Sequence, residues 1–184
     1  MEDPDLRRLK IDMDELELAF GTSSWEIAYF LDTDTGKVLM VQENTFRDLE
    51  NIYENYPEDD EDEEDAEPIV IADVLDEMDL HDWEREMLLV ADLVRNGPPE
   101  RFRQIPVADS RQGFRDMEDF VETVRKDSVR LRLEQALIGK GPFRRFKDAL
   151  LSFPQERERW FAFENERLRQ RMLDWLASEG IEAI

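Results

Sequence analysis

The 184-residue chain has no cysteine and one histidine. Without thiols it can form no disulfide, zinc–thiolate centre or cysteine nucleophile. The lone His81 has no second imidazole for a zinc site, and no G-x-S-x-G motif supplies a serine for a triad. Long apolar runs are also missing: nothing approaches the ~18 residues that a membrane-crossing helix requires. The N-terminal MEDPDLRRLKIDMDELELAF has no apolar stretch behind a basic one, so no signal peptide is expected. These absences lead to the expectation of a cytoplasmic protein with no membrane partner.

Basic residues are scarce in one part of the chain only. The net charge is −23, of which residues 1–99 carry −24 and residues 100–184 carry +1. Such asymmetry bears on solubility and partners rather than on fold. It excludes nucleic-acid binding through the whole surface and leaves only local patches in the second half to attract phosphate. Hydrophobic residues make up 41% of the chain, enough for a core, and a chain of this length buries about 70% of its unfolded surface.

Periodicity and turn chemistry organise the rest. Residues 1–9 read as a frayed tail. Asp12 caps a short helix with Leu16, Ala19 and Phe20 on one face, ended by Gly21. WEIAYFL and KVLMVQE, joined by DTDTG, read as an antiparallel hairpin. TFRDLENIYENY has helical spacing. EDDEDEED at 58–65 is an unbroken acidic run, expected to be an unstructured linker. IVIADVLDEM is ambiguous between helix and strand. Leu80, Trp83, Met87, Val90, Ala91 and Val94 form a helical stripe ended by Asn96-Gly97. RFRQIP suits a third strand beside the hairpin.

Four more helices follow. The first is capped by Asp109, with Gln112 completing a capping box. The second begins at Asp127 or Ser128 and stops at Gly139. The third opens on Pro142, and the last runs from Pro154 to Gly180. The expected fold is α+β, mainly helical, with a hairpin plus one further strand. Residues 1–57 and 68–184 are expected to form one domain around a linker at 58–67.

Four features invite a functional reading. GKGPFRRFKDAL at 139–150 gathers Lys140, Gly141, Arg144, Arg145 and Lys147 at a helix start, where free N–H groups and glycines favour an anion. It is not a phosphate loop: the G-x-x-x-x-G-K-[ST] spacing is absent, and Pro142 removes a donor. The plainer reading is a capped amphipathic helix with a solvated cationic face, Arg144 pairing with Asp148 four residues on.

In DTDTG, Asp32, Asp34 and Glu43 match part of an EF-hand count, but the glycine falls one position early and apolar residues fill ligand positions. A hairpin turn fits better. Asp116, Asp119 and Glu122 lie near one another opposite an apolar stripe, where water is expected to solvate them; no metal site is assigned. Trp160 and Phe163, among Arg157, Arg159 and Arg167, fall off the arc of Phe161, Leu168, Met172, Trp175 and Leu176. Packing into the core on a second side is the plainer reading; exposed, the two would make a partner-binding patch.

The segments IPVADSRQGFRDMEDFVETV, GKGPFRRFKDAL, ERWFAFENERL and WLASEGIE closely resemble the bacterial uncharacterised protein family 0158. LDTDTGKV and WEREMLLVADLV, leading into RFRQIP, fit the same order, so the likeness covers most of the chain. The acidic run looks peculiar to this sequence. The resemblance implies no activity, cofactor or catalytic residue.

The residues alone support a non-enzymatic binding protein that works through surface contacts with a protein partner, regulation being one role open to it. The alternatives are a nucleic-acid- or phosphate-ligand-binding protein using the cluster at 140–147, and an enzyme with helix-borne carboxylates around a divalent metal. No cofactor is called for.

Overall fold

In the computed structural model, residues 6–55 and 70–184 are described. In chain order the elements are β1 (Arg7–Leu9), α1 (Met13–Gly21), β2 (Ile27–Asp32), β3 (Val38–Gln42), α2 (Glu43–Asn55), α3 (Ile71–Asp76) and α4 (Asp82–Asn96). Then come β4 (Phe102–Gln104), α5 (Ser110–Glu122), α6 (Asp127–Leu137), α7 (Pro142–Leu150), α8 (Pro154–Ser178) and β5 (Ile181–Ala183). The fold is α+β and mainly helical, with a three-stranded antiparallel sheet. The acidic run at 58–65, and the linker role expected of it, lie outside the described residues.

The chain divides into two compact units. One comprises residues 9–15 and 24–106, the other residues 1–8, 16–23 and 107–184. Residues 70–106 therefore belong with the hairpin.

The first unit is built on the sheet, ordered β3-β2-β4. Ile27 faces Gln42 and Leu31 faces Val38 in the hairpin, while Phe30 faces Gln104 and Asp32 faces Phe102 on the other side. The short RFRQIP strand thus pairs where the sequence placed it. Val41, Leu49, Ile71, Val74, Leu75, Leu88 and Ala91 form the core, drawn from β3, α2, α3 and α4. The ambiguous IVIADVLDEM is helical at Ile71–Asp76, because Ile71, Val74 and Leu75 share one buried face at helical spacing. The stripe expected of α4 holds at Ala91, which is buried, and at Leu80, Val90 and Val94, which pack partly buried against the same core. Leu88 and Ala91 are the buried positions and Trp83 is exposed, stacked loosely on His81.

A buried charge ties the sheet together. Asp32, 3% exposed, accepts two hydrogen bonds from Arg101, Nε to Oδ1 and Nη2 to Oδ2, both 2.8 Å. Thr35 Oγ1 (2.8 Å) and the Asp34 amide (3.0 Å) donate to the same carboxylate. Arg101 foremost, then these two donors, outweigh the cost of burial and hold the carboxyl well below the usual aspartate range. DTDTG is therefore a hairpin turn, as its sequence implied. Gly36 is obligatory here: φ is +77°, and a Cβ would lie 2.0 Å from the Lys10 carbonyl oxygen. Between α2 and α4, Tyr53 donates to Asp92 Oδ1 at 2.5 Å and accepts from Asn96 Nδ2 at 3.1 Å. Burial and the neighbouring Asp92 push the phenol up to about 12.

The second unit is helical. Its core is Met117, Phe120, Val121, Val124, Val129, Leu133, Phe146, Leu150 and Trp160, from α5, α6, α7 and α8. Asp109 caps α5 by accepting from the Arg111 amide at 2.9 Å, but Gln112 does not close a capping box; it turns to Asp116 four residues on. Phe20 meets Trp175 edge-on at 5.4 Å. The expected frayed tail is corrected at Arg7–Leu9, which pairs with β5, the Arg7 amide donating to the Gly180 carbonyl at 2.8 Å. Strands of three residues carry too little pattern to be read without knowing their partner.

Candidate functional site

The corner between α6 and α7 holds the cationic cluster that the sequence singled out. The last carbonyls of a helix have no partner within it, and here a side chain from the next helix supplies one. Arg145 donates through Nη1 to the Ile138 carbonyl and through Nη2 to that of Gln135 at 2.8 Å. Gly139 (φ +94°) and Gly141 (φ +67°) turn the chain sharply enough for Arg145 to reach back. Pro142 then starts α7, with no side chain capping the exposed amides.

The four cations do not converge. Arg145 is held against the end of α6. The Arg144 side chain is 90% exposed, its nearest acid being Asp148 at 3.8 Å. Lys140 is exposed on the loop. Lys147 is exposed one turn beyond Arg144 and near enough to Glu164 of α8 to favour its charged form. Of the residues singled out for an anion, Lys140, Gly141, Arg144, Arg145 and Lys147, the structure commits the Arg145 guanidinium to carbonyls of α6 and leaves Lys140, Arg144 and Lys147 exposed. Along α7 Arg145 is turned about 100° from Arg144, whereas Lys147, three residues on, returns to the Arg144 side.

What the corner does form is a groove. Arg132, Gln135 and Ala136 of α6 face Arg145, Asp148, Ala149 and Ser152 at α7, enclosing about 330 Å³. Leu131 and Ile138 lie one turn either side of Gln135, and Leu151 lies one turn beyond Asp148. All three are exposed. The floor is polar with two guanidinium groups, and the margins are aliphatic.

Trp160 and Phe163 lie elsewhere. Trp160 is 2% exposed and its ring sits 5.0 Å from Phe146 and 5.3 Å from Phe120. Phe163 packs against the same core, 5.6 Å from Phe120. The second-side core packing is thus what the structure shows, and an exposed patch at these two residues is not. Phe161, assigned to the inner arc, is instead 45% exposed.

The carboxylates of α5 are corrected too. Asp116 is 2% exposed, not in water, and pairs with Arg171 at 2.8 Å while accepting from Gln112 Nε2 at 3.3 Å. Asp119 pairs with Arg167 at 2.7 Å, and Arg159 Nη2 donates to Thr123 Oγ1 at 3.1 Å. These contacts run antiparallel along α5 and α8 and draw the acids to separate arginines. Beside them, burial above all, with Asp116 adding to it, raises the Glu164 carboxyl above the usual glutamate range despite Lys147 and Arg171. Among the described residues no three histidine, aspartate or glutamate side chains are grouped to hold a metal ion.

Sequence reasoning missed a second concavity, in the sheet-bearing unit. Trp25, Glu26, Ile27, Gln42, Glu43, Asn44 and Arg47 line about 260 Å³ at the open end of the hairpin. The hairpin reading takes WEIAYFL as strand from Trp25, but β2 starts only at Ile27 and the indole is 80% exposed.

Comparison with known proteins places this architecture. No solved structure matches the chain. A Pseudomonas aeruginosa protein named UPF0158 protein PA5073 is 28% identical over 177 residues, 96% of this chain and 88% of that protein. The family described as an uncharacterised protein family (UPF0158) matches residues 75–184, which span α4, β4 and the whole of α5 to β5. With more than half of its length matched in this way, the chain belongs to the UPF0158 family.

Proposed function

We propose that this is a cytoplasmic, non-enzymatic binding protein, regulatory through its contacts, that docks a partner protein's segment in the α6–α7 groove. The observation that carries the reading is the groove itself, two guanidinium groups on its floor and Leu131, Ile138 and Leu151 exposed at its margins. Exposed aliphatic side chains forgo about 1.5–3 kcal/mol each relative to full burial, a gain open to a docked partner. The Arg145 guanidinium is pre-positioned by two carbonyl oxygens, so a carboxylate can meet it with little loss of side-chain freedom. The chemistry fits a segment that alternates carboxylates with leucine-like side chains.

The test uses a hexapeptide of glutamate and leucine as probe, followed through the backbone resonances of Gln135 and Ser152. Both are expected to move on titration, and Arg132→Glu is expected to abolish the movement. Resonances that stay fixed at millimolar peptide, or a response that survives Arg132→Glu, would refute the reading.

The nucleic-acid or phosphate alternative rests on Lys140, Arg144 and Lys147, the three members of the basic cluster that stay exposed and outside the groove. Three cations meeting single-stranded phosphates would yield a salt slope of only about −2.1. Oligonucleotide binding with a steeper slope, lost on Arg144→Glu, would favour that alternative over a protein partner.

A further inference from the structure

We infer a second binding site, in the sheet-bearing unit and independent of the α6–α7 groove, that receives an arginine side chain of a partner protein against Trp25. The concavity lies where β3 runs directly into α2. The Ile27–Gln42 pair closes the hairpin, and the Glu43 amide donates to the Glu26 carbonyl at 2.9 Å. This places Glu26 and Glu43 side by side on the rim, with Trp25 beside them and Arg47 one turn along α2.

Three properties select the ligand. First, Trp25 leaves most of its indole in water, and a large aromatic face beside a concavity is suited to stacking. Second, neither Glu26 nor Glu43 has an ion pair with another described residue, so both carboxylates are open to an incoming cation. Third, the described residues of this unit hold 19 acids and 7 bases, a net −12, so their field repels anions and draws cations to this surface. A planar guanidinium meets all three: it stacks on the indole face and presents N–H groups at its edge to carboxylates, which an ammonium cannot do together. Gln42 and Asn44 add neutral donors and acceptors around the same volume. Arg47, one turn from Glu43 on α2, is the one opposing charge in the lining.

The experiment titrates the full chain with three blocked tripeptides, Ala-Arg-Ala, Ala-Lys-Ala and Ala-citrulline-Ala. The Trp25 indole N–H resonance, assigned by its loss in Trp25→Phe, is the readout. The arginine peptide is expected to move it, the lysine peptide to bind more weakly, and the neutral citrulline peptide to leave it in place. The double variant Glu26→Gln/Glu43→Gln is expected to weaken arginine binding several-fold. Trp25→Ala, followed through Asn44, should cost a further two- to fivefold or about that.

Neutralising Asp73 and Glu77, exposed acids of the same unit, removes the same charge elsewhere and should change affinity by less than about twofold. An unmoved Trp25 resonance would overturn the site. So would equal responses to arginine and citrulline, equal responses to arginine and lysine, or a control pair as damaging as Glu26/Glu43. None of these outcomes depends on the α6–α7 groove.

Discussion

Asp32→Asn offers the sharpest test of how the sheet is held. The substitution preserves shape and lets the side-chain oxygen keep a bond from Thr35 or the Asp34 amide, but it removes the charge that two guanidinium N–H groups address. A hydrogen bond to a charged group contributes about 1.5–3 kcal/mol, and breaking a fully buried pair costs about 3–5 kcal/mol. Arg101 is not fully buried: its side chain is 27% exposed and has Asp34 at 3.5 Å as a second partner. The cost should therefore sit near the lower end, about 2–3 kcal/mol. At 2–4 °C per kcal/mol for a chain of this size, that is a fall of about 4–12 °C in Tm.

The pH dependence follows from the depressed carboxyl of Asp32. Its contribution is complete above the unfolded aspartate value of about 3.9 and is lost as pH falls through the lower folded value. Thermal melts of wild type and variant should thus differ by the same amount at pH 7 and pH 5, and the gap should narrow below pH 4. A variant within 1 °C of wild type at pH 7 would refute the reasoning, and so would a gap that widens on acidification. A cycle with Arg101→Met separates the pair from its surroundings; coupling below about 0.5 kcal/mol would show that the two residues act independently.

Other expectations concern packing, backbone and burial. Phe120→Ala removes the ring that meets Phe146, Trp160 and Phe163 and should cost about 3–5 kcal/mol in urea titrations; a loss below 1 kcal/mol would mean the cluster is not the core. Gly36→Ala and Gly141→Ala both place alanine at positive φ, but only the first drives a Cβ into backbone. Gly141→Ala should cost about 1–2 kcal/mol and Gly36→Ala distinctly more, so equal melting temperatures would contradict the Lys10 contact. Glu164→Gln should raise Tm at pH 7, because the folded state holds that carboxyl above its ordinary range. Ionised Glu164 then lowers stability as pH rises through the glutamate range, and the advantage of glutamine should vanish below it. A lower Tm for the glutamine variant at pH 7 would show that Lys147 and Arg171 outweigh burial.

Most of the secondary structure was legible because it depends on near neighbours. Asp12, whose carboxylate accepts from the Asp14 and Glu15 amides, could be recognised from its type and its place before an apolar face. So could Pro142 at the start of α7, Gly180 beyond α8 and the DTDTG turn, since caps and turns are decided within a few residues. The candidate sites were less legible. Lys140, Arg144, Arg145 and Lys147 read as one cluster because they are close in sequence, yet Arg145 goes to carbonyls of α6 and Lys147 towards α8. Asp116 looks like its solvated neighbours until Arg171, 55 residues away, is seen to meet it. Trp160 and Phe161 are adjacent, and which of them goes inward depends on the rotation of α8 against α5.

The order of the helices other than α3, the helix ends, the hairpin and the uneven distribution of charge were determined by the sequence alone, because each rests on spacing, propensity or simple counting over short stretches. The burial of Asp32, Asp116 and Trp160, the strand pairing of Arg7–Leu9, and the dispersal of the α7 cations were decided only in the tertiary structure. A side chain's environment is set by whatever lies across from it, and those neighbours come from far along the chain, where no local pattern records the meeting.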